Sequence, residues 1–269
     1  APATRRPAPG VEHQPPDVRH PASSTSHPTS KNLPTDIHRR NVTRMPTIVC
    51  ASVKGGAGKS TLAINLAAEH LRRGRRVLIV DADPQGTSRV WSEVAAERGH
   101  AAPTVIAMGK EMHRPGQLDQ FASAFDVVIV DCPGRDGAVV RAALMVADLV
   151  LIPCGASPAD AWALQQSLEL LDDARSLRPE LEARVVITRR RATNLGKNAR
   201  GDLAACGVPL LPVELAERVA YQIAMGEGRG VTTMTGQADA VREIRQLTDA
   251  VDSLLGENHD AASSIAHVA

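Results

Sequence analysis

One run of residues, Lys54-Gly55-Gly56-Ala57-Gly58-Lys59-Ser60-Thr61, limits what this chain can fold into more than any other segment. It follows the apolar stretch Thr47-Ile48-Val49-Cys50-Ala51-Ser52 and precedes a helical pattern that starts at Leu62. Strand, glycine-rich loop and helix, in that order, form the context a phosphate-binding loop requires. The glycines let backbone N–H groups turn inward around a polyphosphate, and the helix start adds unsatisfied donors and a positive dipole end. In that pattern Lys59 reaches the terminal phosphates and Ser60 puts its hydroxyl on Mg²⁺. The usual spacing, G-x-x-x-x-G-K-[ST], asks for glycine at position 53, where this chain has Val53. A second lysine, Lys54, stands at the loop entrance instead.

The rest of the chain alternates. Strands are expected at 47–52, 76–81, 104–107, 127–131, 149–153, 184–188 and 209–213. Helices are expected at 60–73, 88–98, 117–124, 137–146, 158–176, 194–205, 215–225 and 237–255. Val77-Leu78-Ile79-Val80 and Val127-Val128-Ile129-Val130 are continuous apolar runs. Such runs fit strands covered on both faces, hence an α/β fold with a mostly parallel twisted sheet flanked by helices. Aromatic residues are only 2% of the chain, so Val, Leu, Ile and Ala must fill the core. Gly74 suits the position just past the first helix, and Ser157-Pro158 reads as an N-cap followed by proline in the first turn.

Residues 1–46 differ in kind. They hold nine of the 18 prolines, seven Lys/Arg and three Asp/Glu, so they carry +4 and leave −3 for the remainder of a chain of net charge +1. A polar, proline-rich stretch buries too little surface to offset chain entropy, so it is expected to be a disordered basic tail. The expected organisation is that tail, a folded domain over 47–256, and a flexible tail over 257–269. No run approaches the roughly 18 apolar residues of a membrane span. Cys50, Cys132, Cys154 and Cys206 show no metal-site or C-x-x-C spacing. A reducing cytoplasm is the expected setting.

In parallel sheets ligands bind beyond the carboxyl ends of the strands. Two acidic motifs leave those ends: Asp81-Ala82-Asp83-Pro84-Gln85-Gly86 and Asp131-Cys132-Pro133-Gly134. Mg²⁺ with a nucleotide needs few protein carboxylates, because it keeps waters and phosphate oxygens as ligands. Asp131, at the end of a Val-Val-Ile-Val strand, has the position of a Walker B acid. With Ser60 and Asp81 it makes the expected metal set. Asp83 is a candidate to orient the water that attacks the terminal phosphate. Farther on, the window 183–201 holds Arg184, Arg189, Arg190, Arg191, Lys197 and Arg200 and no Asp or Glu. Clustered Arg and Lys contact nucleic-acid phosphates without reading sequence. No aromatic interleaves them, so stacking on single strands is not expected.

Lys-Gly-Gly-Ala-Gly-Lys-Ser-Thr, Asp-Ala-Asp-Pro-Gln-Gly and Val-Ile-Val-Asp-Cys-Pro-Gly together resemble the ParA/MinD group of deviant-Walker ATPases, over about 47–255. The likeness is greatest to small ParA partition ATPases without a helix-turn-helix domain. Weaker matches are Ile152-Pro153 with Ser157-Pro158-Ala159-Asp160, Val186-Ile187-Thr188-Arg189, and Pro212 leading into Glu217-Arg218-Val219-Ala220-Tyr221. The resemblance implies ATP and Mg²⁺ as cofactors and hydrolysis stimulated by DNA and a partner protein. It also implies that Lys54 reaches across an ATP-bound homodimer to the partner's phosphates. Relatives carry Asn near 188–189 for adenine. This chain has Thr188 and Arg189, which leaves the base to Arg189 and to the 212–222 segment that begins at Pro212. The implied action is non-specific binding to double-stranded nucleoid DNA through Arg189, Arg190, Arg191, Lys197, Arg200 and Arg218. The implied role is partition of a plasmid or chromosome through a centromere-binding protein, or positioning of a protein compartment such as a carboxysome through an adaptor. A membrane-patterning relative of the MinD type needs a C-terminal amphipathic helix. The stretch after Leu255 has no basic face and little apolar bulk, so no membrane partner is expected. Cluster-assembly relatives need paired interface cysteines, and tyrosine-kinase relatives a Tyr-rich tail, whereas here the one tyrosine is Tyr221.

Overall fold

Seven strands, all paired in parallel, form a single sheet in the order β3-β2-β4-β1-β5-β6-β7. The structure is a computed structural model that describes residues 45–121, 124–193, 200, 201 and 203–266. The strands are β1 (Thr47–Cys50), β2 (Val77–Asp81), β3 (Thr104–Ala107), β4 (Val127–Asp131), β5 (Leu149–Cys154), β6 (Glu182–Arg190) and β7 (Leu210–Ala216). The described α-helices are α1 (Lys59–Arg72), α2 (Thr87–Glu97), α3 (Gly137–Val146), α4 (Pro158–Arg175), α5 (Val219–Gly226) and α6 (Ala238–Ala266). The described residues fall within one compact unit, Val42–Ala269. The expected tail, 1–46, lies outside the described residues except for Met45 and Pro46.

The apolar runs behave as both-face strands. In β4, Val128 and Val130 enter one core cluster, with Val49 and Val80, against α3 and α4. Val127 and Ile129 enter the other, with Ile48 and Ile79, against α1 and α6. Each inner strand thus feeds two cores by its two-residue alternation. All five residues of β2 and of β4 are buried, so the first place where either strand can meet a ligand is its carboxyl end.

Local signals explain the helix ends. After α1, Gly74 takes φ +82, and the N–H groups of Gly74 and Arg75 donate to the carbonyls of Leu71 (2.9 Å) and His70 (3.1 Å). That is a Schellman closure, for which glycine has the conformational freedom. At α4 the Ser157 hydroxyl accepts from the Asp160 N–H (3.2 Å), the Asp160 carboxylate accepts from the Ser157 N–H (3.0 Å), and Pro158 sits in the first turn.

Four boundaries differ from the sequence pattern. The expected helix at 117–124 is a 3₁₀ turn, Leu118–Phe121, preceded by another at Lys110–His113. Leu118 and Phe121 both face the core, and the threefold repeat of a 3₁₀ turn aligns residues three apart. Strand β7 runs to Ala216, so the next helix starts at Val219 and not at 215. The backbone of α6 stays helical to Ala266, where the apolar periodicity had suggested an end at 255; no proline follows to stop it. Most of the helix expected at 194–205 lies outside the described residues.

The α1–α6 contact is charged as well as apolar. Glu69, fully buried, accepts from Arg72 and Arg73 at 2.7 and 2.9 Å, and Arg75 pairs with Asp252 at 2.6 Å. His70, also fully buried, takes Arg75 against its Nδ1 (3.1 Å) while its Nε2 has no partner. Burial pulls the His70 pKa down to about 4; Asp252 and Glu69 oppose this, Arg75 and Arg73 add to it. A histidine held neutral contributes stability above its unfolded pKa near 6.5 and loses it as pH falls toward 4. His70→Asn, which keeps an acceptor near Nδ1, is expected to remove this component of acid destabilisation, worth about 3 kcal/mol between those two pH values. Urea unfolding at pH 7 and at pH 4.5 checks it.

Candidate functional site

The two neighbours of β1 are β4 on one side and β5 on the other, while the chain leaving β1 goes to β2, beyond β4. Connections on the two sides therefore diverge at the carboxyl end of β1, which opens a crevice there. The glycine-rich loop fills the mouth of that crevice. Gly56 and Gly58 have φ +71 and +101, a region side-chain-bearing residues avoid. Gly58 is the N-cap of α1 and offers no side chain to its N–H groups, which leaves the first turn's donors available to an anion. Val53, where the usual pattern has glycine, does not have a positive φ and costs no strain; its N–H donates to Ser167 of α4 (3.2 Å). Thr188 of β6 holds the loop from behind, its hydroxyl donating to the Ala57 carbonyl (2.9 Å).

Lys59 is buried, and its Nζ donates to the Lys54 carbonyl (3.1 Å). Burial lowers its pKa, with Asp131 and Asp83 pulling the other way. A cation so placed lacks a strong acceptor, which fits it to a phosphate. Gly134, leaving β4, lies against the same loop. A Cβ there would stand 3.2 Å from the Lys59 Nζ and 3.3 Å from the Gly55 nitrogen. The close approach needs glycine and brings the chain after Asp131 to the loop mouth.

Asp131 is the chemically distinctive carboxylate. It is fully buried, one oxygen accepts from the Ser88 hydroxyl (2.8 Å), and the other has no hydrogen-bond partner. Burial raises its pKa to about 6; the Ser88 hydrogen bond holds it down, with Ser60 close by, and Asp81 adds to the rise. A buried oxygen without a partner, beside Ser60, fits a hard cation. Asp81 does not share that freedom. Its two oxygens accept from the N–H groups of Asp83 (3.2 Å) and Arg89 (2.9 Å), and the Arg89 guanidinium lies 3.6 Å away. It closes the turn into α2, and each oxygen keeps a second lone pair, so Asp81 stays with Ser60 and Asp131 in the candidate metal set. Asp83 also makes an Asx turn, to the Gln85 N–H (2.9 Å), but it lines the cleft.

Lys54 does not project freely. Its ammonium pairs with Asp160 of α4 at 2.7 Å, and Arg189 reaches the same oxygen at 3.4 Å. Burial alone would raise the Asp160 pKa; hydrogen bonds from Lys54 and Ser157 reverse this and hold it below the usual carboxylate range. Asp160 was not singled out by sequence reasoning as a site residue. Its signal is the capping spacing Ser157-x-x-Asp160, which places its carboxylate beside the loop. Arg189 has φ +51, the single positive φ on a non-glycine residue among those described. It lies where β6 and β7 slip register, between Ile187↔Glu214 and Arg190↔Ala216.

The phosphate loop lines a cleft of about 480 Å³. Leu215, Ala216, Arg218, Tyr221 and Met225 line it too, with Arg189 and Glu217. Met225 is joined to α1 by the Thr61 hydroxyl (3.3 Å). Pro212 is exposed within β7 and does not line the cleft. The strand continues past that proline to Ala216.

The basic window is balanced in three dimensions. The neighbouring strand and its exit supply acids: Glu214 pairs with Arg190 and Arg200 (2.9 Å each) and Glu217 with Arg191. Arg218 is tied to Glu243 (2.7 Å) and Asp239 (3.5 Å). Of the expected set, Arg189 and Arg191 are the more exposed, and Lys197 lies outside the described residues.

The family model described as "CobQ/CobB/MinD/ParA nucleotide binding domain" matches residues 48–231. A "Maintenance of carboxysome distribution protein A" of Halothiobacillus neapolitanus is 32% identical over 209 residues, 76% of this chain and 95% of that protein. "Protein ParA" of Rhizobium radiobacter is 32% identical over 225 residues, 77% of this chain and all of that protein. The solved ATP complex of a Cyanothece McdA superposes with a TM-score of 0.63 at 20% identity, over 78% of this chain and 97% of that one, a likeness of fold.

A buried carboxylate whose pKa is raised favours the fold when protonated, so its contribution is present below the unfolded value of 3.8 and is lost as pH rises through about 6. Asp131→Asn is therefore expected to stabilise the ligand-free chain at pH 7.5, by up to about 3 kcal/mol. Because this titration opposes that of His70, the same variant steepens the loss of stability below pH 6.5. Denaturation series at several pH values, with and without the substitution, check both signs.

Proposed function

The chain belongs to the CobQ/CobB/MinD/ParA family of nucleotide-binding domains, and from that premise we propose that it is an ATPase of the ParA kind. In this reading it binds ATP with Mg²⁺, dimerises, attaches to DNA without sequence preference and so positions a cargo. The observation that carries the reading is the pair of lysines at the loop. Lys59 lies inside the cleft, and Lys54 lies at its rim, held by Asp160 and not by the loop. One cation serves the phosphates of its own subunit; the other serves a second copy.

The loop N–H groups, the first turn of α1 and Lys59 bind and orient the phosphates. Ser60 and Asp131, with Asp81, would hold Mg²⁺, which when bound neutralises charge on the phosphates. The buried unpartnered oxygen of Asp131 is the local fit to that ion. Asp83, on the cleft wall, accepts from and orients the attacking water. For Lys54 to reach a partner's nucleotide it must leave Asp160. That carboxylate is not then stranded, because Arg189 and the Ser157 N–H remain on it. The latch therefore opens at modest cost, and added positive charge meets the phosphoryl group where negative charge develops.

DNA attachment draws on Arg189, Arg190, Arg191, Lys197 and Arg200, with Arg218 braced by Glu243. The ion pairs with Glu214 and Glu217 do not preclude it, since half-exposed pairs hold only about 0–1 kcal/mol and exchange for phosphate oxygens. The cargo reading favours a plasmid or chromosome. Positioning of a protein compartment is the second reading, favoured by the relative named for carboxysome distribution. Among the described residues no helix is long and apolar enough to cross a membrane.

Lys54→Ala is expected to keep nucleotide binding but lose ATP-dependent dimerisation and turnover. Sedimentation velocity with ATP and with ADP, beside phosphate release, checks this, and normal hydrolysis in the variant refutes the role. Wild-type chain is expected to bind random double-stranded DNA with ATP and not with ADP. Replacing Arg190 and Arg191 together by Ala is expected to lower the slope of log affinity against log salt by about 1 to 2. An unchanged slope in anisotropy titrations removes these two from the interface.

A further inference from the structure

We infer that Glu243, on α6 and outside the cleft, is the positioning residue for the nucleoside half of the ligand site. This rests on the nucleotide reading above and adds a residue on the C-terminal helix to it. If a triphosphate occupies the glycine-rich loop, its sugar and base extend along the rest of the cleft. The exit of β7 and α5 line it and supply the apolar surface a base requires, from Leu215 and Tyr221, with Met225 of the last turn against Thr61. The phosphate end is held by the sheet and by α1. The nucleoside end is a strand exit, which the sheet alone does not fix.

Glu243 fixes it. Its carboxylate accepts four hydrogen bonds, all from that one segment: the Ala216 N–H (3.2 Å), Nε and Nη2 of Arg218 (3.0 and 2.7 Å) and the Tyr221 hydroxyl (2.9 Å). Both carboxylate oxygens are used, and Glu243 and Tyr221 are buried. The donors span the last residue of β7, the N-cap of α5 and its first turn. A single carboxylate thus sets where the strand ends, how the helix starts and where the tyrosine ring lies. The adjoining Glu217 N–H donates to the Arg190 carbonyl (3.0 Å), which ties the same segment to the register slip that carries Arg189. Removing the carboxylate leaves buried donors unpaired, and the segment must move to satisfy them. Glu243 is not among the residues that line the cleft, and its hydrogen bonds go to the exit of β7 and the start of α5, so phosphate binding is expected to be left alone.

Titration calorimetry of the full chain with Mg·ADP and with Mg·pyrophosphate separates the two halves of the site. Wild-type chain is expected to bind ADP more tightly than pyrophosphate. Glu243→Gln is expected to raise the Kd for ADP about tenfold and to leave that for pyrophosphate within about twofold. Intact pyrophosphate binding is also the evidence that the variant is folded. Equal weakening of both ligands, or of neither, overturns the assignment. If Glu243→Gln does not fold, Tyr221→Phe carries the same comparison, with an expected loss of about threefold for ADP alone. Wild-type chain that binds ADP no better than pyrophosphate overturns the inference and spares the nucleotide reading; wild-type chain that binds neither defeats that reading itself.

Discussion

The parallel sheet, covered on both faces, is the constraint from which the rest follows. Strands β2 and β4 and most of β1 and β5 are buried along their length, so their sides offer nothing to a ligand. Polar chemistry is confined to the carboxyl edge, where parallel strands deliver every connection to the same side. At that edge the chain from β1 turns one way and the neighbouring strand β5 belongs to the other half of the sheet. The loop 54–61, Asp83, Gly134, Asp160 and Arg189 lie at or just past the carboxyl ends of five different strands and meet there because the sheet has a single reactive edge.

Crowding buried charges at one edge is costly unless each has a counterpart. The protein meets this with local pairings. Asp160 caps α4 and holds Lys54, Glu243 gathers the exit of β7, and Asp81 closes the turn into α2. Asp131 and Lys59 are left under-satisfied, one with an unpartnered oxygen and the other resting on a carbonyl. Burial shifts the pKa of both, in opposite directions. Their incompleteness is what a metal ion and a polyphosphate would complete, whereas the completed pairs serve to shape the cleft.

Legibility in the sequence divides along the same line. The glycine-rich loop, the Val-rich strands, the Gly74 stop and the Ser157 cap were legible because each depends on residues close in the chain. Asp131 was legible from its place at a strand end. What spacing alone does not show is which partner each charged group meets. Asp81 stands at a strand end as Asp131 does, but the structure puts the Arg89 N–H on it. Pro212 looked like a strand exit until β7 was seen to continue to Ala216. The arginines at 189–191 stand in a window free of acids, but Glu214 and Glu217 lie beside them on the next strand.

By itself, the sequence determined the fold class, the phosphate end of the site and the two lysines that suggest a paired action. These are written in local spacing, through the two-residue alternation of strands, the glycines that accept positive φ and the cap chemistry of helix ends. Only the tertiary structure decided which carboxylates keep an unpartnered oxygen, how far the basic window is neutralised, and that Asp160 meets Lys54 and Glu243 meets the exit of β7. The physical reason is that a charge acts on what lies within a few ångströms of it, and the donors on Glu243 and the lysine on Asp160 stand 22 to 106 positions away in the chain.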